Sequence, residues 1–293
     1  MLDFIPWNSQ VPEIWARRYA GGKFVDLDGY RTHYLEQGDG EPLLLVHGFF
    51  YDSFLWSANV ETLARHFRVY SIDLWGWGYS TREALDYGYP LYARQLRLFL
   101  DALGIKRAIL MGQSMGAGAA IQFSLENPER VAKLILVGSA GLPNPLPLTA
   151  KIFQLPGVGE LLLALPTLAV RQKNLADFWI HRRELVTHEY VERVTRAQKI
   201  VGSTPVVLGI LRRRFFDTLS AEIRQLREKE LPILIVWGKE DRAVPVRCGE
   251  EMHRILTGSR LAVLERAGHV PNYDVPADFN RIALGFCLDS TGR

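Results

Sequence analysis

The string Gly112-Gln113-Ser114-Met115-Gly116 places one hydroxyl between two glycines. It directly follows an apolar run ending at Met111 and precedes a small-residue segment, residues 117–126. A serine on a sharp strand-to-helix turn presents its Oγ above a sheet, and so tight a turn demands glycine two residues to either side. The helix N-terminus favours negative charge, which suits an attacking alkoxide and the oxyanion it makes. A serine hydroxyl is a weak nucleophile without a base beside it and a third group orienting that base. His269, in Ala267-Gly268-His269-Val270-Pro271, follows the apolar run 261–264 (LAVL), at a strand end where open α/β sheets place ligands. Asp241, in Trp237-Gly238-Lys239-Glu240-Asp241, follows a second run, 232–237 (PILIVW). The expected nucleophile, base and orienting acid are Ser114, His269 and Asp241.

The other candidates read differently. His47 adjoins Gly48 after a strand-like run and is expected to hold that loop. His33, His66 and His253 fall in strand or helix contexts and read as structural or exposed. His181 and His188 are spaced wrongly for a helical metal pair, which leaves substrate contact as their alternative. Glu240 is a fallback acid, Asp241 could instead cap the helix opened by Pro245, and Asp73 reads as a loop-shaping residue.

These groups need a scaffold that brings distant strand ends together. Residues 43–46 (LLLV), 69–72, 107–111 (RAILM), 134–137 and 232–237 have strand length, and near-continuous apolar strands imply a sheet covered on both faces. Helix-period segments alternate with them. Residues 90–103 put Leu91, Ala93, Leu96, Leu98, Phe99 and Leu103 around one broad face, with Gly104 as the C-cap. The alternation implies an α/β fold with a parallel sheet. Asp28-Gly29 between two β-type runs signals a hairpin ahead of it.

The rhythm breaks at Leu142, where LPNPLPL carries three prolines in seven residues, and resumes at Pro232. The block 142–230 holds 14 Lys/Arg against 9 Asp/Glu, while the remainder holds 21 against 23. This insert alone carries the positive charge of a 293-residue chain whose formal net charge is +3. That charge is too mild for an obligate nucleic-acid binder. The two cysteines, Cys248 and Cys287, make no disulfide framework and no metal cluster is visible. No run reaches the roughly twenty apolar residues of a membrane span. The chain reads as a cytoplasmic protein needing no metal or cofactor. Its expected partner is a small-molecule ester, with no nucleic acid and no integral membrane segment, and a homodimer left open.

Five motifs in order carry a family resemblance over about residues 24–288. They are His47-Gly48-Phe49, Asp73-x-x-Gly76-x-Gly78-x-Ser80, Gly112-x-Ser114-x-Gly116, Gly238-x-x-Asp241 and Gly268-His269. The chain resembles the α/β-hydrolases of the capped esterase, haloalkane dehalogenase and C–C hydrolase kind, whose order is serine, acid, histidine. The resemblance implies a mostly parallel eight-stranded sheet flanked by helices, with a helical cap inserted after strand six. Residues 142–230 fit that cap, and 1–141 with 231–293 the core. It also implies an oxyanion hole from the backbone N–H groups of Phe49 and Met115. Ser114 stands where dehalogenases and epoxide hydrolases have aspartate, which argues against both activities. His-Gly-Phe-Phe differs from the Ser-Gly-rich loop of many C–C hydrolases.

The pocket is expected to involve His47, Gly48, Phe50, Trp75, Gln113, Leu142 and Val270. Phe49, Phe54, Trp56, Trp77 and the leucine-rich residues 161–168 are expected near its mouth. The expected activity is a serine carboxylesterase acting on small to medium apolar acyl esters. The alternatives are C–C cleavage of vinylogous keto-acids, a monoacylglycerol lipase, and a ligand receptor of the same fold. Arg212-Arg213-Arg214 reads as a solvated helix face, or as a contact for an acidic substrate or anionic lipid.

Overall fold

A computed structural model describes residues 5–144, 151–164, 168–213 and 215–289. Eight strands form one sheet: β1 (Lys23–Leu27), β2 (Tyr30–Gln37), β3 (Glu41–Val46), β4 (Phe67–Ile72), β5 (Ala108–Gln113), β6 (Val131–Val137), β7 (Ile233–Gly238) and β8 (Arg260–Leu264). Their order is β1-β2-β4-β3-β5-β6-β7-β8. β1 pairs antiparallel with β2, and β2 with β4; every later pairing is parallel. Asp28 and Gly29 both take positive φ, 57° and 83°, as the mirror-image turn of a tight hairpin requires.

The apolar strands separate into two faces at period two. Leu44, Val46, Leu110, Leu134, Leu136 and Ile235 line one core. Leu43, Leu45, Ile109, Met111, Ile135, Val137 and Val236 line the other. Each core is closed by helices. They are α1 (Pro12–Tyr19), α2 (Val60–Leu63), α3 (Tyr89–Ala102), α4 (Met115–Glu126), α5 (Val158–Ala164), α6 (Leu168–Asn174), α7 (His188–Thr195), α8 (Ser203–Arg213), α9 (Ser220–Leu226), α10 (Val246–Ile255), α11 (Pro271–Asp274) and α12 (Pro276–Leu288). In α3 the fully buried stripe is Tyr92, Ala93, Leu96, Phe99 and Leu100, with Leu91, Leu98 and Leu103 at its margins. Gly104 follows at φ +65°, the left-handed cap position.

Helices α5 to α9 lie between β6 and β7. α9, inside the block expected to be cap, packs against α4 through the buried pair Ile223 and Leu226. Its apolar side chains recur at a three-residue spacing that serves a core helix as well as a cap helix. Residues 145–150, 165–167 and 214 fall in this block outside the described residues, and with them part of the proline-rich turn, part of 161–168, and Arg214. Arg212 pairs with Glu160 and Arg213 with Asp86, so this stretch is a paired surface.

The segment before the sheet is an arm laid across the helical block. Asn8 N–H donates to Gln198 O (3.1 Å), Ser9 and Gln10 N–H to Lys199 O (2.7 and 2.8 Å), and Val201 N–H to Gln10 O (2.9 Å). Asn8 Oδ1 accepts from Gly202 N–H at 2.7 Å, and Trp15 Nε1 donates to Arg196 O at 3.0 Å. Among the described residues no helix is long and apolar enough to cross a membrane.

Candidate active site

The strand-to-helix turn between β5 and α4 puts Ser114 at φ +51°, ψ −115°, a backbone conformation disfavoured for any side chain but glycine's. Its neighbours hold it there. Ser114 N–H donates to Val137 O (2.9 Å), and Ala140 N–H donates to Ser114 O (3.1 Å). The flanking glycines are required by contact. A Cβ on Gly112 would lie 2.5 Å from Gly116 O, and one on Gly116 would strike the carbonyls of Val46 and His47.

The loop after β8 carries His269 over the serine. Ser114 Oγ donates to His269 Nε2 at 2.9 Å, and His269 Nδ1 donates to Asp241 Oδ2 at 2.7 Å. Asp241 Oδ1 accepts from the Ala243 and Val244 N–H groups at 2.9 and 2.8 Å. All three side chains are buried, at the C-terminal ends of β5, β7 and β8. The acid's hydrogen bond fixes the proton on Nδ1 and leaves the Nε2 lone pair facing the hydroxyl, the tautomer a general base needs. The acid at this position is Asp241; Glu240 turns to Ala267 N–H at 3.0 Å.

The remaining expected residues separate into two groups. Phe49 and Phe50 meet at 4.2 Å, Trp77 lies 5.0 Å from Phe49, and Phe216 closes the cluster at 5.3 Å. Gln113 Nε2 donates to His269 O (2.9 Å), and Gly48 sits against Gln113 and Ser114 with no room for a Cβ. Val270 and Leu142 are buried, one in each core.

Trp75 does not belong to this neighbourhood. Its ring is buried against Tyr30 and its Nε1 donates to Thr32 Oγ1 (2.8 Å), because the turn after β4 aims it back toward β2. Trp56 likewise packs into the core near Phe279, and Phe54 against Tyr190 and Arg193. The side chain of His47 is not free for substrate. Its Nδ1 donates to Gly48 O (2.8 Å), its Nε2 accepts from Leu74 N–H (3.0 Å), and burial pushes its pKa down, so the ring is neutral.

Asp73 shapes its loop through Ser53 N–H (2.7 Å), Tyr79 N–H (2.9 Å) and His33 Nδ1 (2.7 Å). Despite its burial, the His33 charge and hydrogen bond hold its carboxyl far below the usual range. Burial opposes a charged His33, but Asp73 and the Gly21 carbonyl outweigh it and raise its pKa.

A sequence model of the alpha/beta hydrolase fold matches residues 41–276. The chain belongs to the alpha/beta hydrolase family. This alpha/beta hydrolase is 33% identical to a 2-hydroxy-6-oxononadienedioate/2-hydroxy-6-oxononatrienedioate hydrolase of Burkholderia vietnamiensis, over 91% of this chain and 96% of that one. It is 30% identical to a 2-hydroxymuconate semialdehyde hydrolase of Pseudomonas putida, over 96% of each. A solved meta-cleavage product hydrolase from Pseudomonas fluorescens superposes with a TM-score of 0.79 at 26% identity, covering 91% of this chain and 97% of that one.

Two residues of the alpha/beta hydrolase site carry no sequence signal. Asp274 accepts from Gly268 N–H (2.8 Å), His181 N–H (3.1 Å) and Arg182 N–H (2.9 Å), joining the His269 loop to the segment after α6. Its partners are backbone groups from distant segments, which no side-chain pattern announces. Trp179 lays its ring edge-on to His269 at 5.2 Å. Neither His181 nor His188 joins the serine; His181 contributes its backbone N–H to Asp274, and His188 opens α7.

Proposed function

We propose that this chain is a serine hydrolase with Ser114 as nucleophile, His269 as general base and acid, and Asp241 as the orienting group. The observation that carries this reading is the unbroken chain Ser114 Oγ, His269 Nε2, His269 Nδ1, Asp241 Oδ2, at 2.9 and 2.7 Å. His269 takes the proton as Ser114 attacks a carbonyl. The N–H groups of Phe49 and Met115 hold the oxyanion. Met115 opens α4, so its N–H has no carbonyl one helical turn back. Residues 142–219 act as the cap over this centre, and α9 belongs with the core it packs on.

The bond we assign is a carbon–carbon bond in a vinylogous keto-acid. The naming of relatives at 30–33% identity as hydroxy-oxo-dienoate and semialdehyde hydrolases supports it. A carbon leaving group departs only if its electron pair is delocalised. The sink forms when the 2-hydroxydiene moves its hydroxyl proton to the carbon beside the scissile bond, which makes that carbon tetrahedral and leaves a C=C conjugated to a second carbonyl. The pair enters the conjugated system, His269 returns its proton to the departing carbon, and water, deprotonated by His269, releases the acyl group from Ser114. Carboxylic ester cleavage is the second reading, favoured by the apolar wall of Phe49, Phe50, Trp77 and Phe216.

The test compares bleaching of a 2-hydroxy-6-oxo-dienoate with release of p-nitrophenol from acetyl to dodecanoyl esters. The expected result is kcat/KM at least about tenfold higher for the keto-acid, with both activities lost in Ser114→Ala. The reverse ranking makes the protein an esterase. Full activity in Ser114→Ala removes the proposed centre altogether.

A further inference from the structure

The turn from Gly48 to Tyr51 lies against the nucleophile. A Cβ on Gly48 would stand only 3.1 Å from the Cβ of Ser114. Tyr51 N–H donates to Gly48 O at 3.3 Å and closes the turn around Phe49 and Phe50. Phe50, its third residue, takes φ +66°. A turn of this shape asks for glycine or asparagine at that position, because a larger side chain crowds the backbone. An aromatic residue stays in such a conformation only where its surroundings fix it. Phe49 N–H, assigned above to the oxyanion, donates to nothing else among the described residues.

A hold on Phe50 comes from the helical block. Gln198 Nε2 donates to Phe50 O at 2.7 Å. Gln198 is 4% exposed, and its Oε1 is buried without a donor among the described residues. The bond to Phe50 therefore sets which way the amide faces. The next two loop residues meet the block through their side chains, at longer range. Tyr51 Oη lies 3.2 Å from Tyr190 Oη, and Asp52 lies 3.4 Å from Arg193. Gln198 is itself anchored. Its carbonyl accepts from Asn8 N–H of the N-terminal arm at 3.1 Å, and Lys199 O accepts from Ser9 and Gln10. On its other side, Ala197 O accepts from Arg82 Nη2 at 3.0 Å.

We propose that Gln198 is a positioning residue for the reaction. Its amide holds the Phe50 carbonyl, keeps Phe50 left-handed, and so presents the Phe49 N–H to the developing oxyanion. This rests on the hydrolase reading above and deepens it. The helical block completes the oxyanion hole, and the arm steadies the turn that carries Gln198.

Gln198→Met keeps the side chain's length and removes the donor. An oxyanion contact is made in the transition state and not in the ground state, so its loss falls on kcat. The substrate is p-nitrophenyl pentanoate or a 2-hydroxy-6-oxo-dienoate, whichever is turned over. The expected result is a kcat lower by about 10- to 50-fold with KM changed by less than about threefold. That is milder than the roughly 100- to 1,000-fold of losing an oxyanion donor outright, since the N–H is displaced and not deleted. Gln198→Asn keeps the amide but falls a methylene short, and carries the same expectation should Gln198→Met unfold. Phe50→Gly supplies the rescue, because glycine takes positive φ without strain. In that background Gln198→Met should cost less than about threefold, the lost ring being common to both variants. A kcat loss below about twofold in the wild-type background, or an equal loss in both backgrounds, overturns the proposal.

Hydrogen exchange read by mass spectrometry needs no turnover. In Ser114→Ala, adding Gln198→Met should speed exchange in the peptide spanning residues 48–54. That result in a protein inert to every ester and keto-acid keeps the hold of Gln198 on the loop and removes the hydrolase. Ser114-dependent turnover, with neither a kcat loss nor faster exchange in Gln198→Met, removes the role of Gln198 and keeps the hydrolase.

Discussion

At the scale of single residues, the site depends on which proton sits where. Asp241 uses Oδ1 for two backbone N–H groups and Oδ2 for the imidazole. In Asp241→Asn the oxygen can keep the backbone pair, which leaves an amide NH2 facing Nδ1. The imidazole must then carry its proton on Nε2, where it can no longer accept one from Ser114. Turnover is expected to fall by about 10⁴ with little change in Tm, read by steady-state kinetics beside a melting curve. A loss below tenfold would show that Asp241 only caps the helix after it. Ser114, His269 and Asp241 were legible in the sequence because each ends a strand and sits in a loop with its own glycine or proline punctuation. Trp75 was not. Sequence gives its position in the loop after β4, but its direction comes from a hydrogen bond to Thr32 on another strand. Asp274 was also illegible, since what marks it is the remote backbone it binds.

At the scale of elements, the loops over the sheet are fixed by a buried ion pair whose strength varies with pH. His33 on β2 meets Asp73 through one ring nitrogen and the Gly21 carbonyl through the other, so both nitrogens face acceptors and the doubly protonated ring fits. Asp52 and Arg193 stand nearby as a second pair. Since the fold raises the His33 pKa, its contribution is complete below the ordinary 6.5 and is lost as pH rises through the raised value. Since the fold depresses the Asp73 pKa, its contribution is present above the ordinary 3.8 and is lost only as pH falls through the lowered value. The Tm difference between wild type and His33→Gln should therefore be widest near pH 5–6 and narrow above the raised His33 pKa. Melting curves from pH 4 to pH 9 check this, and a gap independent of pH would mean that the ring is uncharged. The strands were readable from apolar period and turn chemistry, with ends displaced by one to three residues: 43–46 became Glu41–Val46 and 134–137 became Val131–Val137. Apart from the buried Val131, those extra residues are exposed or half-buried, and pairing with a neighbouring strand recruits the segment.

At the scale of the whole molecule, an α/β layer and a helical block are joined by a strap as well as by chain continuity. The arm from Asn8 to Trp15 bonds residues 196–202 through backbone and side chain, and buries Trp15 with Tyr79 of the core and Ile200 of the block. Asn8→Ala removes the acceptor for Gly202 N–H and Trp15→Ala removes the indole that seals the joint. Each should speed amide exchange across residues 196–204 while leaving β5 and β7 protected, as mass spectrometry of exchanged peptides would show. Equal loss of protection in the sheet would make the arm part of the global fold. Nothing in the arm's composition announces this role, because its partners are carbonyls and amides nearly two hundred positions away.

That separation has a consequence during synthesis. Asn8 and Gly202 are 194 residues apart, which at roughly 5–20 residues per second is about 10 to 40 s of translation. Through most of that interval the indoles of Trp7 and Trp15 have only early neighbours such as Phe50 and Tyr79 and lack the helical block that completes their cover, while β3, β4 and β5 can already pair. The guanidinium of Arg171, which lies over the Trp7 ring, comes more than 160 residues after it. The emerging polypeptide carries an adhesive apolar leader for most of its manufacture, and at this one seam the order of assembly runs opposite to the order of translation.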